Sequence, residues 1–455
     1  MHCNRRAFLR RSIHAALGGA SLYGALGNLQ LMAAAANASN GGIFPDYKAL
    51  VCVFLNGGND SFNTIVPYDA AHYAIYQATR PAMAINQAAV AGLALTPQAT
   101  QPGLPGGPPS DGGSYGLHPS MPELRSLFNS QRAAVIANVG PLIGPITQAQ
   151  YQAGTRPAPP QLFSHDDQAN FWQTSRPDDA NANGWGGRIA DLLFDGNPNQ
   201  QLPMTMSLSN QSLFARGATV DQYVMGAYGA EAIDYLGSYQ NELGTQSFNA
   251  MIADGVQAHM FERAYARATR RSINTYEMLR TVLNPLPTWT TPFPENNLGA
   301  QLQQVANLIN VRGAAGLNMR RQIFYVIFGG FDTHDDQLLT QSGILETLSQ
   351  ALHAFNQAIE QMQIASQVTT FTASDFGRTL STNGDGTDHG WGGHHFVMGG
   401  AVRGGRFFGE MPSLLQNGNP NDAGYGQIIP TIGVDPYAAT LARWFGVNNA
   451  GLTDI

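Results

Sequence analysis

The sequence predicts an α/β fold, a three-layer arrangement with a largely parallel central sheet covered by helices on both sides. Two observations predict it. Short, continuous apolar runs recur along the chain, the pattern of strands buried on both faces. Amphipathic, helix-period segments alternate with them, as parallel crossover connections require.

In chain order, the first core strand is read at Ala49–Leu55, ending in Asn56-Gly57-Gly58. Pro102 to Gly113 is rich in Pro and Gly and reads as a loop. A short helix around Met121–Ser130 leads to a strand at Ala133–Val139. Gly184–Leu193 reads as helix and Met204–Leu208 as strand. From Phe248 to Leu283 apolar residues recur mostly at spacings of three to five, which predicts helix and a helical insertion near 210–315. A further helix is expected at Leu298–Asn310. The α/β rhythm then resumes: strand Gln322–Phe328, helix within Gln337–Met362, strands Val368–Ala373 and His395–Met398, helix Tyr437–Trp444. No repeat or coiled-coil period is present, so residues 39–455 read as one large α/β domain.

Residues 1–38 read as an export signal. Asn4-Arg5-Arg6-Ala7-Phe8-Leu9-Arg10-Arg11 resembles the twin-arginine consensus, a weakly apolar run follows from Ile13 to Ala36, and Ala36-Asn37-Ala38 offers a cleavage site before Ser39. The expectation is therefore a periplasmic or secreted protein that engages the twin-arginine translocase during export. Glycines interrupt the run, which argues against a permanent membrane anchor. Loss of Arg5, Arg6, Arg10 and Arg11 takes the formal net charge from −7 to about −11. A surface so acidic argues against nonspecific nucleic-acid binding. Of two cysteines, Cys3 leaves with the signal and Cys52 sits in an apolar strand, which excludes an intrachain disulfide and a multi-cysteine metal site in the mature chain.

Polar clusters lie at or beside strand ends, where ligands bind in open α/β sheets. The first is Asn56 to Asn63, which presents Asp60 with Ser61 and Asn63 as small polar neighbours. Asp60 reads either as a metal-ligand carboxylate or as an Asx-turn and helix cap. The second is Gly329-Gly330-Phe331-Asp332-Thr333-His334-Asp335-Asp336. Asp332 and His334 suit one metal, and an acidic helix start is the alternative. The third, Ser374-Asp375-Phe376-Gly377-Arg378, offers Asp375 to a metal and Arg378 to an oxyanion, or a surface salt bridge. The fourth places Asp388, His389, His394 and His395 in a glycine-rich frame, as metal or catalytic groups, with some as supporting or core residues. The fifth is Phe163-Ser164-His165, where Ser164 is a candidate nucleophile and His165 a candidate site residue, or both belong to a polar loop packed by aromatics. Carboxylates and imidazoles without thiolates suit one or two ions of zinc or a similar metal.

These motifs also carry a resemblance. Ala49 to Asn63, Leu117-His118-Pro119, Phe163-Ser164-His165, Gly330 to His334, Ser374 to Thr379, Gly386 to Gly390, Gly399-Gly400 and Gly404-Gly405 together resemble the secreted family known as domain of unknown function 1501. That family is similar to the alkaline phosphatase and sulfatase superfamily. The resemblance implies an alkaline-phosphatase-like sandwich and metal-assisted hydrolysis of phosphate or sulfate esters. By order along the chain it implies Asp60, Asp332, His334, Asp375 and His389 as metal ligands. The sequence departs from the alkaline phosphatases at Phe376, which stands where a histidine directly follows the later aspartate. Two functions follow as expectations: an exported metallohydrolase of a small-molecule ester, or a noncatalytic secreted protein on the same scaffold that binds a surface polymer or assembles with a partner.

Overall fold

The computed structural model describes residues 44–230, 242–253 and 255–455. The export signal read at residues 1–38 lies outside them. Among the described residues eleven strands are formed: β1 (Lys48–Leu55), β2 (Ile65–Pro67), β3 (Tyr115–Leu117), β4 (Ala133–Gly140), β5 (Thr205–Ser207), β6 (Tyr223–Val224), β7 (Arg321–Phe328), β8 (Val368–Ser374), β9 (Gly393–Met398), β10 (Phe407–Phe408) and β11 (Ile432–Gly433). Nine make one sheet in the order β10-β4-β9-β8-β1-β7-β5-β6, with β11 also on β4; β2 and β3 form a separate antiparallel pair.

The large sheet is mostly parallel. Strand β1 runs parallel to β7 and β8, and β9 alone runs antiparallel to its neighbours β8 and β4. Alternation along β1 splits the core into two layers. Ala49, Val51, Val53 and Leu55 pack with the helices Pro122–Asn129, Asn297–Asn310 and Gln337–Gln361. Leu50, Cys52 and Phe54 face the helices Trp185–Leu192 and Val434–Phe445. Strands covered on both faces are mostly apolar, which is why Ala49–Leu55 reads as a continuous run rather than as alternation.

The register aligns the strand ends. Leu55 lies beside Phe328 and Ser374, so Asn56, Gly329 and Asp375 leave the sheet at one level. Because β9 runs the other way, the segment that precedes it, containing His389, arrives at that same edge.

The helix expected over Phe248–Leu283 is two helices, Glu242–Met251 and Met260–Val282. Gly255 at φ +81° and a capping box between His259 and Glu262 end one and start the next. The polar segment after Ser164 is also helical, His165–Thr174, with Phe171 and Trp172 on its buried face. Among the described residues no helix is long and apolar enough to cross a membrane.

Candidate metal centre

Four side chains from three chain segments meet at the strand-end edge: His165, Asp332 with His334, and His389. One ligand-type atom each from His165, Asp332 and His389 lies within 4.8 Å of the others. His389 Nε2 is 3.3 Å from Asp332 Oδ1, and His165 Nε2 is 3.4 Å from Asp332 Oδ2. His334 Nε2 sits 3.0 Å from both His389 Nε2 and Asp332 Oδ1.

Supporting contacts decide which ring nitrogen faces the centre. His389 Nδ1 is 2.7 Å from the Phe163 carbonyl oxygen, which only accepts, so Nδ1 carries the proton. Burial pushes His389 below its ordinary value against the pull of that carbonyl, so the ring is neutral near pH 7 and Nε2 presents a lone pair. His165 Nδ1 lies 2.7 Å from Asp375 Oδ2. That hydrogen bond raises His165, outweighing its partial burial, and makes Nε2 a stronger donor to a cation. Among the described residues His165 Nε2 has no hydrogen-bond partner of its own. Partial burial pushes Asp332 up, but the hydrogen bond and charge of Arg378, with the two nearby imidazoles, bring it below the usual carboxylate value. The rings of His165 and His389 pack on Phe376 at 4.8 and 4.6 Å between centroids, so Phe376 serves as an apolar wall.

The backbone brings these groups close. Gly57 follows β1 at φ +116°, and a Cβ there would lie 2.4 Å from the Asp332 backbone nitrogen. The turn after β1 is thus wedged against the turn after β7.

Other sequence candidates take different places. Asp60 caps the short helix Ser61–Thr64 through Phe62 N–H, and Arg80 holds its carboxylate at 2.6 and 3.1 Å, with Gln337 also donating to it. Both partners of this pair are fully buried. The cap reading therefore describes Asp60, and its oxygens are committed away from the imidazole group. Asp375 supports His165 rather than standing among the candidate donors: Oδ2 accepts from His165 Nδ1 at 2.7 Å and from Gly57 N–H at 3.1 Å. Arg378 is not an open oxyanion clamp. It is completely buried, and it donates to Gly57 O, Asp332 Oδ1, Thr387 Oγ1 and Thr387 O.

Ser164 is the N-cap residue of the His165–Thr174 helix, and its hydroxyl donates to Asp167 Oδ2 at 2.7 Å. Ser61 is buried, its hydroxyl without a partner among the described residues, and Asn63 accepts from Tyr76 and Arg80. Asp388 stands on the rim, 3.3 Å from His334 Nδ1. His394 and His395 are core residues of β9. His394 Nδ1 accepts from Asn138 N–H, and His395 meets Thr372 and stacks near Trp172. Burial lowers them to about 4 and about 3, so both are neutral. The residues that sequence reading missed are Arg80 and Gln337. Arg80 closes the helix Ala70–Thr79, for which Asp69 as N-cap was an available signal.

Residues 47–447 match the model of the family described as "Protein of unknown function (DUF1501)". The chain belongs to this family. No curated protein matches the DUF1501 chain. Solved structures similar to it include Ps i-CgsB in complex with k-i-k-neocarrahexaose, at 10% identity and TM-score 0.33, covering 90% of this chain and 74% of that one. The lipoteichoic acid synthase LtaP from Listeria monocytogenes matches at 8% identity and TM-score 0.34, covering 89% and 73%. The PsFucS1 sulfatase from Pseudoalteromonas sp. matches at 9% identity and TM-score 0.30, covering 91% and 71%. Scores of this size carry no functional conclusion.

Proposed function

We propose that this DUF1501 protein is an exported, metal-dependent hydrolase of phosphate or sulfate esters. His165, Asp332 and His389 would hold a single divalent cation of the zinc type. The observation that carries the reading is the convergence of the three donor atoms within 4.8 Å. The donor set fits such an ion: two imidazoles and a carboxylate are a common zinc set, and the far nitrogen of each imidazole is fixed by an acceptor. When bound, the cation would polarise an ester oxygen and lower the pKa of a water.

The chain's own groups do the rest. Asp375 orients His165, and Arg378 anchors Asp332 from beneath, so the donors are held before a ligand arrives. His334 is partly exposed on the rim beside His389 and Asp332, the place from which an imidazole can pass a proton to a leaving oxygen. The Ser164 hydroxyl is occupied by Asp167, which favours water as the nucleophile. Export by the twin-arginine route is supported by Arg5-Arg6 and the residues around them.

A noncatalytic role is favoured by one observation, that Arg378 is sealed inside and unable to meet an oxyanion. Elemental analysis of the purified protein, paired with a panel of phosphate and sulfate esters, separates the two. The hydrolase reading expects about one equivalent of metal, lost in His389→Ala, and turnover that follows it. Folded, metal-free protein that does not take up zinc would overturn it. Metal binding with no turnover on the panel would leave the noncatalytic role standing.

A further inference from the structure

A polar chain runs through the core from the Arg80–Asp60 pair to the metal centre. Arg80 donates to both Asp60 oxygens, at 3.1 and 2.6 Å. Asp60 Oδ2 also accepts from Gln337 Nε2, Gln337 Oε1 accepts from the Thr387 hydroxyl at 2.6 Å, and that hydroxyl accepts from Arg378 Nε at 3.2 Å. Arg378 Nη1 then donates to Asp332 Oδ1 at 2.6 Å. Asp60, Arg80, Gln337, Thr387 and Arg378 are each at most 1% exposed.

The role of every group in this chain is forced. A carboxylate only accepts, so the Gln337 amide must turn Nε2 to Asp60 and Oε1 to Thr387. A guanidinium only donates, so Thr387 Oγ1 must accept from Arg378 and give its single proton to Gln337. Gln341 fixes the far end: it accepts from Gln337 Nε2 at 3.3 Å and donates to Asp60 O at 2.8 Å. The chain therefore has one direction, and cutting a link strands a polar group where water does not reach.

The near end is a candidate metal ligand. The Asp332 side chain is 46% exposed, so a buried partner is needed to hold it, and Arg378 is that partner. Arg378 is itself aimed by Thr387, which takes Nε with its hydroxyl and Nη2 with its carbonyl. A guanidinium is planar, so fixing that edge points Nη1 at Gly57 O and Asp332 Oδ1. Thr387 N–H donates to Thr333 O at 3.2 Å, which ties it to the residue beside Asp332.

We infer that Thr387 is a positioning residue of the metal centre, acting through Arg378 on Asp332, and that Gln337 and the Asp60–Arg80 pair hold its hydroxyl in turn. The inference rests on His165, Asp332 and His389 holding a cation. It gives the first polar cluster after β1 a part in the centre, exerted through hydrogen bonds rather than as a ligand.

The test measures zinc affinity of the full chain by competition with a chromophoric chelator, beside the urea midpoint. Thr387→Val keeps the shape and removes the hydroxyl, and zinc binding should weaken about tenfold. Thr387→Ser returns the hydroxyl and should restore wild-type affinity. Gln337→Met should weaken zinc binding about threefold by itself and add nothing to Thr387→Val, because it acts through that hydroxyl. A purely structural role would lower the urea midpoint of Thr387→Val and leave its zinc affinity unchanged. That result, or additive losses in the double variant, would overturn the inference. If Thr387→Val does not fold, Gln337→Met decides alone, and unchanged zinc affinity in it overturns the inference. Failure of the metal centre itself looks different: wild-type protein would take up no more zinc than His389→Ala, and both proposals would fall.

Discussion

Replacing Asp375 by Asn tests how the centre is held. Asp375 is 1% exposed, and one of its oxygens accepts two hydrogen bonds, from Gly57 N–H at 3.1 Å and His165 Nδ1 at 2.7 Å. An asparagine keeps a single acceptor oxygen. If that oxygen stays with Gly57, the amide nitrogen turns towards His165 and donates. Nδ1 must then accept, and the ring proton moves to Nε2, facing Asp332 where a lone pair is needed. Loss of such a supporting partner costs about 10- to 100-fold in metal affinity, roughly 1.4–2.7 kcal/mol. Competition titration of apo-protein with zinc and a chromophoric chelator measures this directly. His165→Ala sets the scale for losing the ligand altogether. Wild-type zinc affinity in Asp375→Asn, alongside a clear loss in His165→Ala, would refute the assignment of Asp375 as the group that orients His165.

Other consequences follow from the surrounding core. Arg80→Met removes the cation paired with the fully buried carboxylate of Asp60, and should lower stability by about 3–5 kcal/mol in urea unfolding; adding Asp60→Asn should recover much of it. His394 and His395 are held neutral, at about 4 and about 3, whereas the unfolded chain takes up their protons below about 6.5. Their contribution is therefore complete above pH 6.5 and declines as pH falls towards 4, on the order of 3 kcal/mol each, and His395→Gln should flatten the urea midpoint against pH over that window. Gly57→Ala forces a Cβ to within 2.4 Å of Asp332 N in a left-handed backbone, so zinc affinity should fall more than global stability.

The sheet was legible because its physics is local. A strand enclosed on both faces is mostly apolar, so β1, β4 and β7 each contain a continuous apolar run, while β8 alternates threonines with apolar residues. The segments that build the centre were legible for the same reason: polar clusters at the ends of such runs have a common edge to meet at. The job of each side chain was not. Whether Asp60 binds metal or a neighbour depends on Arg80, whose helix, Ala70–Thr79, has a polar, weakly patterned sequence. Arg378 sits beside the centre as expected, yet every direction it could reach is filled by Gly57, Asp332 and Thr387. These are questions of distance between residues far apart in sequence, on which spacing along the chain is silent.

Strand β9 shows how a single topological fact sorts the histidines. Read as one glycine-framed cluster, His389, His394 and His395 look equivalent. Had β9 run parallel to β8, the segment leading into it would have entered at the opposite edge, and His389 would lie a strand's length from Asp332. Antiparallel pairing, with Phe371 beside Val397 and Thr370 beside Met398, instead delivers His389 to the carboxyl ends of β1, β7 and β8. The same turn of the chain carries His394 and His395 into the sheet, where alternate side chains face opposite layers and both imidazoles are sealed. The boundary between candidate ligand and core histidines falls at Gly393, where the strand begins. His389, before it, lies at the candidate centre, and His394 and His395, after it, are buried in the packing of the sheet.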